Sequence, residues 1–173
     1  MQLVRTTLAF LIAAVAMSSK AQDSTATKPA DMMIFGIITD KAGNDPMRNA
    51  SVTLHTDSMA VDSVFTDPLG RYQIFIPLAG VHRLVYAMDG YHRKTVEVDA
   101  NAEMDAATRA QEWNLRVDIS LLRAEVPLPD ELLDTPVGKA AWQAEMREFK
   151  WDGPYTDRYE QRFKQALKEA ARK

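Results

Sequence analysis

The stretch Thr66-Asp67-Pro68-Leu69-Gly70-Arg71-Tyr72-Gln73-Ile74-Phe75-Ile76-Pro77 decides how this chain folds. Asp67-Pro68 opens a tight turn, and Gly70 supplies a residue free to take a positive φ. Tyr72, Ile74 and Ile76 then alternate onto one face of an extended segment that Pro77 ends. An alternating strand needs a core beneath it, and the flanking segments supply one. Residues 32–39 are apolar and β-rich with Gly36 inside them, and a glycine within a strand marks a bulge or a close backbone approach. Ala50, Val52 and Leu54 alternate against Ser51, Thr53 and His55, and after the turn at 57–60 the segment 61–65 runs back. Beyond Pro77 come a turn at 78–80, the alternating Leu84, Tyr86 and Met88, a hairpin-type turn at Asp89-Gly90, and a strand over 92–99 with Val96 and Val98. A polar loop, 100–111, leads to Trp113, Leu115, Val117 and Ile119, again at period two. These seven short strands at sandwich spacing predict a mainly β fold over residues 32–122.

The character changes after Leu122. Pro127 and Pro129 interrupt regular structure, and Thr135-Pro136 reads as an N-cap followed by proline at the first helical position. A helix is expected over 136–149, with Phe149 and Trp151 alternatively forming a short strand. Over 155–172 the helical spacing is clearer: Tyr159, Phe163, Ala166, Leu167 and Ala170 share one face and Thr156 is placed to cap it. Its outer face is basic. Such a helix either docks on its own domain or offers itself to a partner. Residues 123–173 are therefore read as a C-terminal α-helical extension.

The first residues belong to targeting. Arg5 gives a positive start, residues 8–17 are a short apolar run, and Ser19-Lys20-Ala21 offers a cleavage site, so 1–21 is expected to be a signal peptide cut after Ala21. Residues 22–31 are small and polar, a flexible tether. The apolar run is about half the ~20 residues that span a bilayer, so no stable membrane span is expected. Removing 1–21 takes away Arg5 and Lys20 and no acid, which moves the net charge from −3 to −5. That balance argues against nucleic acid as a partner. The chain of 173 residues has no cysteine, so stability outside the cytoplasm must come from a hydrophobic core. The expected location is periplasmic or secreted.

The motifs also carry a resemblance. Gly36-Ile37-Ile38-Thr39-Asp40 with Gly43 and Pro46, then Ala50-Ser51-Val52, Thr66-Asp67 with Gly70-Arg71-Tyr72, Pro77 with Gly80, and Gly90-Tyr91 occur in the order and at the distances of a known family. Over residues 33–121 the chain resembles the carboxypeptidase regulatory-like domain, which implies a seven-stranded transthyretin-like/Ig-like sandwich. Asn49 stands where that family usually has glycine, His82 where an aromatic often opens a strand, and Asn44-Asp45 lengthens the first turn by about one residue. Relatives are mostly non-catalytic accessory modules of peptidases, outer-membrane receptors or the Gram-negative envelope. The resemblance therefore implies an adhesive or scaffolding role. Ureide-ring hydrolases of transthyretin type end in a Tyr-Arg-Gly-Ser type tail, whereas this chain ends in Ala-Ala-Arg-Lys.

No reaction chemistry assembles from the residues themselves. His55, His82 and His92 fall on different strands or turns and read as scattered surface histidines, so neither a metal nor a cofactor is expected. Asp40, Asn44, Asp45, Asp57, Asp62 and Asp67 have the ligand chemistry of a calcium site, but each sits in or beside a turn, which aspartate favours anyway. Asp57-Ser58-Met59 and Asp62-Ser63-Val64 resemble a short O-glycan acceptor pattern. Tyr72, Tyr86, Tyr91 and Trp113 are read as mainly core rather than a sugar-stacking face. Trp142, Phe149, Trp151, Tyr155, Arg158 and Arg162 lie outside the sandwich pattern and are the expected partner-binding residues. The expected function is thus a non-enzymatic, exported protein-interaction or scaffolding module of the envelope; the alternative is a carbohydrate-binding module.

Overall fold

The computed structural model of the protein describes residues 31–101 and 103–172, and among these ten strands form two sheets. The expected signal peptide and all of the tether but Asp31 lie outside the described residues. The smaller sheet has β1 (Asp31–Asp40) at its centre, antiparallel to β4 (Arg71–Pro77) and parallel to β7 (Trp113–Arg116) and β8 (Ile119–Leu121). The larger runs β10 (Glu148–Trp151), β9 (Gly138–Gln143), β6 (Lys94–Asp99), β5 (Val81–Ala87), β2 (Ser51–Thr56) and β3 (Met59–Phe65). The inward residues of the two sheets, among them Ile34, Val52, Ile74, Leu84, Val98 and Leu121, interdigitate as one buried core. The chain is therefore a mainly β sandwich with a C-terminal helix.

The turn at 66–70 forms as its residues require. Gly70 has φ +71°, and a Cβ there would lie 2.5 Å from the Ile38 carbonyl oxygen. Asp67 Oδ1 accepts from the backbone N–H groups of Leu69 and Arg71, and Oδ2 accepts from Arg71 Nε at 2.9 Å. Tyr72, Ile74 and Ile76 are buried as their alternation predicts. Asn49 takes φ +61°, so the residue that replaces the family's glycine is the non-glycine type best suited to that region.

Gly36 answers to a close approach. A Cβ on it would lie 2.0 Å from the Val117 carbonyl oxygen. Here the expected last strand divides into β7 and β8: Val117 N–H donates to Phe35 O and Asp118 Oδ1 accepts from Ile37 N–H, which carries the ladder past the break. Val117 O also accepts from Tyr72 Oη at 2.8 Å, and Tyr72 Oη lies 2.9 Å from Tyr86 Oη, joining the two sheets across the core. With Val117 O taken, the shared proton comes from Tyr86. Burial pushes both phenols above their ordinary range.

The extension is the main correction. The expected helix over 136–149 is instead the β9–β10 hairpin, with β9 added parallel to β6. Val137 N–H donates to Thr95 O, and Gly138 leaves space for Trp151, whose Cζ3 would be 3.1 Å from an added Cβ. The free edge of β6 offers a ladder of backbone partners, and this outweighs the local helical spacing. Met146, which such a helix would carry on one side with Val137, Ala141 and Phe149, is 55% exposed in the hairpin turn. Helix α3 (Gly153–Ala170) begins earlier than expected and is capped by Asp152, which accepts from Tyr155 N–H; Thr156 instead donates to Asp152 O. Pro154 fits a first turn that needs no N–H from it. Tyr159, Phe163 and Ala166 dock α3 onto Leu122 and onto Leu132 of the short helix α2 (Asp130–Asp134), so the helix packs on its own domain.

Candidate functional site

Strand β1 is apolar on both faces. Met32, Ile34 and Ile38 point into the core, while Met33, Phe35 and Ile37 lie half-buried on the other side. The register sets neighbours for them: Met33 sits between Phe75 of β4 and Asn114 of β7, Phe35 between Gln73 and Arg116, and Ile37 beside Arg71. The outer face of the small sheet is therefore an apolar centre with a polar margin. Phe75 is 52% exposed, and Phe65, at the end of β3, is 68% exposed. Phe65 with Met33, Phe35, Arg71, Gln73 and Arg116 lines a shallow cavity of about 520 Å³. Asp67 and Asp118 pair with the two marginal arginines at 2.9 and 3.0 Å and fix their heads.

This face continues onto an edge. β3 closes one side of the large sheet with seven residues, and Met59, Val61 and Phe65 on it are exposed. Its hairpin tip, Asp57-Ser58, has φ of +49° and +68°, as a two-residue primed turn needs. The opposite edge, β10, is short and carries Glu148 and Lys150. Charged and short edges resist added strands, whereas β3 has one charge, Asp62. Ser58 stands exposed at the tip, while the Ser63 hydroxyl lies 3.3 Å from that of Thr53.

The residues expected to bind a partner are not gathered into one free surface. Trp142 and Phe149 close an edge-to-face trio with Trp113, at centroid separations of 5.1, 5.4 and 6.0 Å. Trp113 Nε1 donates to Thr108 O of the short helix α1 (Ala106–Arg109), whereas the buried Trp142 Nε1 has no acceptor. Arg147, at the hairpin turn, ties the trio to α1 through Asp105 and Thr108. Trp151 packs over Gly138, and Tyr155 Oη donates to Pro136 O at 2.7 Å while its ring lies under Lys139 Nζ. Lys139 and Arg83 both reach Glu97; burial alone would raise that carboxyl, but the two cations hold it below its usual range. Arg158 is exposed on α3, and Arg162, also exposed, lies 3.4 Å from Glu131. The aromatics are spent on holding the extension to the sheet.

A second concavity lies under α3. About 530 Å³ in volume, it is bounded by β6, the β7–β8 junction and the helix, with Val96, Val117, Ile119, Phe163 and Leu167 among its walls. The half-buried Lys94 amine sits 5.1 Å from the Phe163 ring centroid. Burial, with a smaller contribution from the charge of Lys41, pushes its pKa down to about 8, against a small opposing pull from Glu160.

The histidines stay apart, but one is not on the surface. His82 is fully buried, with Nε2 2.9 Å from Pro77 O and Nδ1 2.9 Å from Thr56 Oγ1. The carbonyl can only accept, so Nε2 carries the proton and Nδ1 accepts from threonine. That explains a histidine where an aromatic is usual: it fills the space and joins the ends of β2, β4 and β5. His92 Nε2 lies 2.8 Å from Val126 O. Among the described residues no three His, Asp or Glu side chains are grouped as a metal site would require. Asp40 is held below its ordinary range by the Ala42 N–H and then by the Tyr91 hydroxyl, so it closes a turn. No described helix is long and apolar enough to cross a membrane.

Residues 33–111 match the family model described as the carboxypeptidase regulatory-like domain. No curated protein matches the chain. Among solved structures it is similar to the Bacillus anthracis TIE protein (16% identity, 54% of this chain and 18% of that one, TM-score 0.43). It is also similar to catechol 1,2-dioxygenase from Acinetobacter sp. ADP1 (15%, 58% and 55%, 0.41) and to Klebsiella pneumoniae 5-hydroxyisourate hydrolase (15%, 54% and 91%, 0.39). The chain thus spans less than two thirds of the first two, and no activity follows from likeness at this level.

Proposed function

We propose, from the premise that this chain carries a carboxypeptidase regulatory-like domain, that it works outside the cytoplasm as a non-enzymatic protein-binding module of the cell envelope. Its contact surface in this reading is the outer face of the small sheet, continued onto strand β3. The observation that carries the reading is the outward row of half-buried Met33 and Phe35 with exposed Phe75, and exposed Phe65 on the same cavity as Met33 and Phe35, margined by Arg71, Gln73, Asn114 and Arg116. An apolar centre within a polar, arginine-bearing rim is the anatomy of a protein interface. Fully covering an exposed side chain such as Phe65 or Phe75 contributes up to about 1.5–3 kcal/mol before the cost of association is met. The set offers no nucleophile paired with a base. Export rests on Arg5, the apolar run 8–17 and Ala21, and predicts a mature protein beginning at Gln22.

The test is photo-cross-linking in the envelope with p-benzoylphenylalanine placed at Phe75, Phe65 or Arg158. Discrete adducts from the first two positions and not from Arg158 support the reading; adducts from Arg158 alone overturn it. One observation favours a second reading: Phe35 and Phe75 share the outer face of the small sheet and Phe65 lines the same shallow cavity as Phe35, so rings are offered for stacking on a sugar. Saturable glycan binding that Phe75→Ala abolishes would move the assignment to a carbohydrate-binding module.

A further inference from the structure

The concavity under α3 shares Arg116 with the margin of the proposed protein-binding face but has its own walls and its own chemistry. Its walls are aliphatic and aromatic, yet four cations reach it: Lys41, Lys94, Arg116 and Lys164. Three carboxylates face them. Glu160 is taken by Lys164 at 3.1 Å, one turn along the helix. Asp118 is taken by Arg116 at 3.0 Å and by Ile37 N–H at 3.0 Å. Asp157 stands exposed on the first turns of α3. Among the described residues, neither Lys94 nor Lys41 is within ion-pair distance of a carboxylate, and Lys94 rests over the face of Phe163 instead. A half-buried ammonium without a counter-ion opposes folding, because water is removed and no charge replaces it. Its place in the wall of an apolar concavity makes chemical sense if the counter-ion arrives with a ligand.

We propose that this concavity binds a small amphiphile with one carboxylate and an unbranched apolar chain, the carboxylate meeting Lys94 and Lys41 and the chain lying along Val96, Ile119, Phe163 and Leu167. The volume of about 530 Å³ lies inside the range of small-molecule sites, about 300–1,000 Å³, and such sites are mostly apolar with a few placed polar groups. A ligand carboxylate restores the proton-holding power that burial removes from Lys94, so binding carries a proton onto the protein near and above pKa about 8. The other titratable groups facing the site are Lys41, Lys164, Asp118, Asp157, Glu160 and Tyr159, the last pushed up to about 12 by burial.

Decanoate and decan-1-ol, equal in chain and different in charge, are the probes, titrated by calorimetry below their micelle or solubility limits. Saturable decanoate binding is expected, with decan-1-ol and the Lys94→Met variant each weaker by about tenfold or more, the value of a charge-assisted contact. Lys41→Met, at an exposed position, loses a smaller factor and guards against a folding artefact at position 94. Decanoate affinity in the wild type falls as pH is raised above about 8, and in Lys94→Met it does not. Methyl NMR shifts are expected on Val96, Ile119 and Leu167. The proposal is overturned by no saturable decanoate binding, by equal affinity for the alcohol, by unchanged affinity in Lys94→Met, or by shifts confined to Met33 and Ile37.

Discussion

Replacing Lys94 by Met keeps the stem that packs between β6 and α3 and removes the ammonium head. The head ordinarily holds its proton to about 10.5, but here only to about 8, chiefly because it is desolvated. A depression of that size corresponds to about 3 kcal/mol of opposition to folding at neutral pH. Losing the contact with the Phe163 ring returns about 0.5–1 kcal/mol. Water reaching the mouth of the concavity trims the remainder, so Lys94→Met stabilises the fold by about 1–2 kcal/mol at neutral pH. The sign with pH follows from proton counts. Between about 8 and 10.5 the unfolded chain binds more protons at this site than the folded one, so wild-type stability gains from this group as pH rises through that window. Urea titrations at about pH 7 and about pH 9.5 read the effect as a difference between the two proteins, which narrows by about 1–2 kcal/mol at the higher pH. Staying below pH 10 avoids the tyrosines, whose raised values act in the opposite direction. A variant less stable than wild type at both pH values, or a gap independent of pH, would mean that the Lys94 ammonium does not oppose folding.

Other outcomes are equally specific. Gly36→Ala drives a Cβ to 2.0 Å from Val117 O and should cost about 3 kcal/mol, read as a fall in urea midpoint without a change in slope. Tyr72→Phe orphans Val117 O and leaves Tyr86 short of an acceptor, costing about 1–3 kcal/mol, and adding Tyr86→Phe should cost less than its own single change. Asp67 sits below its ordinary range, first through the Arg71 N–H, so its contribution is present above about pH 4 and is lost as acid titrates it. Asp67→Asn should therefore flatten part of the acid limb of the stability curve.

Much of the sandwich was legible because period-two alternation and turn residues point the same way. Gly70 and Gly36 announced a positive φ and a close approach, and each is found at such a place. The hairpin 138–151 was legible only in its second strand, where Phe149 and Trp151 alternate; Val137, Ala141, Met146 and Phe149 also fit a helical stripe, and the unpaired edge of β6, a tertiary fact, turns the segment into strands. The same edge explains why Trp142, Phe149 and Trp151 are half-buried against the sheet. The outer face did leave a signal. Met32-Met33-Ile34-Phe35-Gly36-Ile37-Ile38 is apolar without alternation, the mark of a strand meant to be covered on both sides. The Lys94 site left none, since a lysine opening a strand is ordinary until a helix is laid across it.

The proposed protein contact lies on the small sheet rather than on the extension. Quantitative capture of the cross-linked envelope partner by three purified proteins tests it most directly: wild type, Phe65→Glu/Phe75→Glu, and Arg158→Glu/Arg162→Glu, each confirmed folded by its urea midpoint. All four positions are exposed, so the substitutions alter the surface alone. Capture lost in the phenylalanine pair and retained in the arginine pair is the predicted result. Capture retained in the phenylalanine pair and lost in the arginine pair would contradict the claim and return the contact to α3.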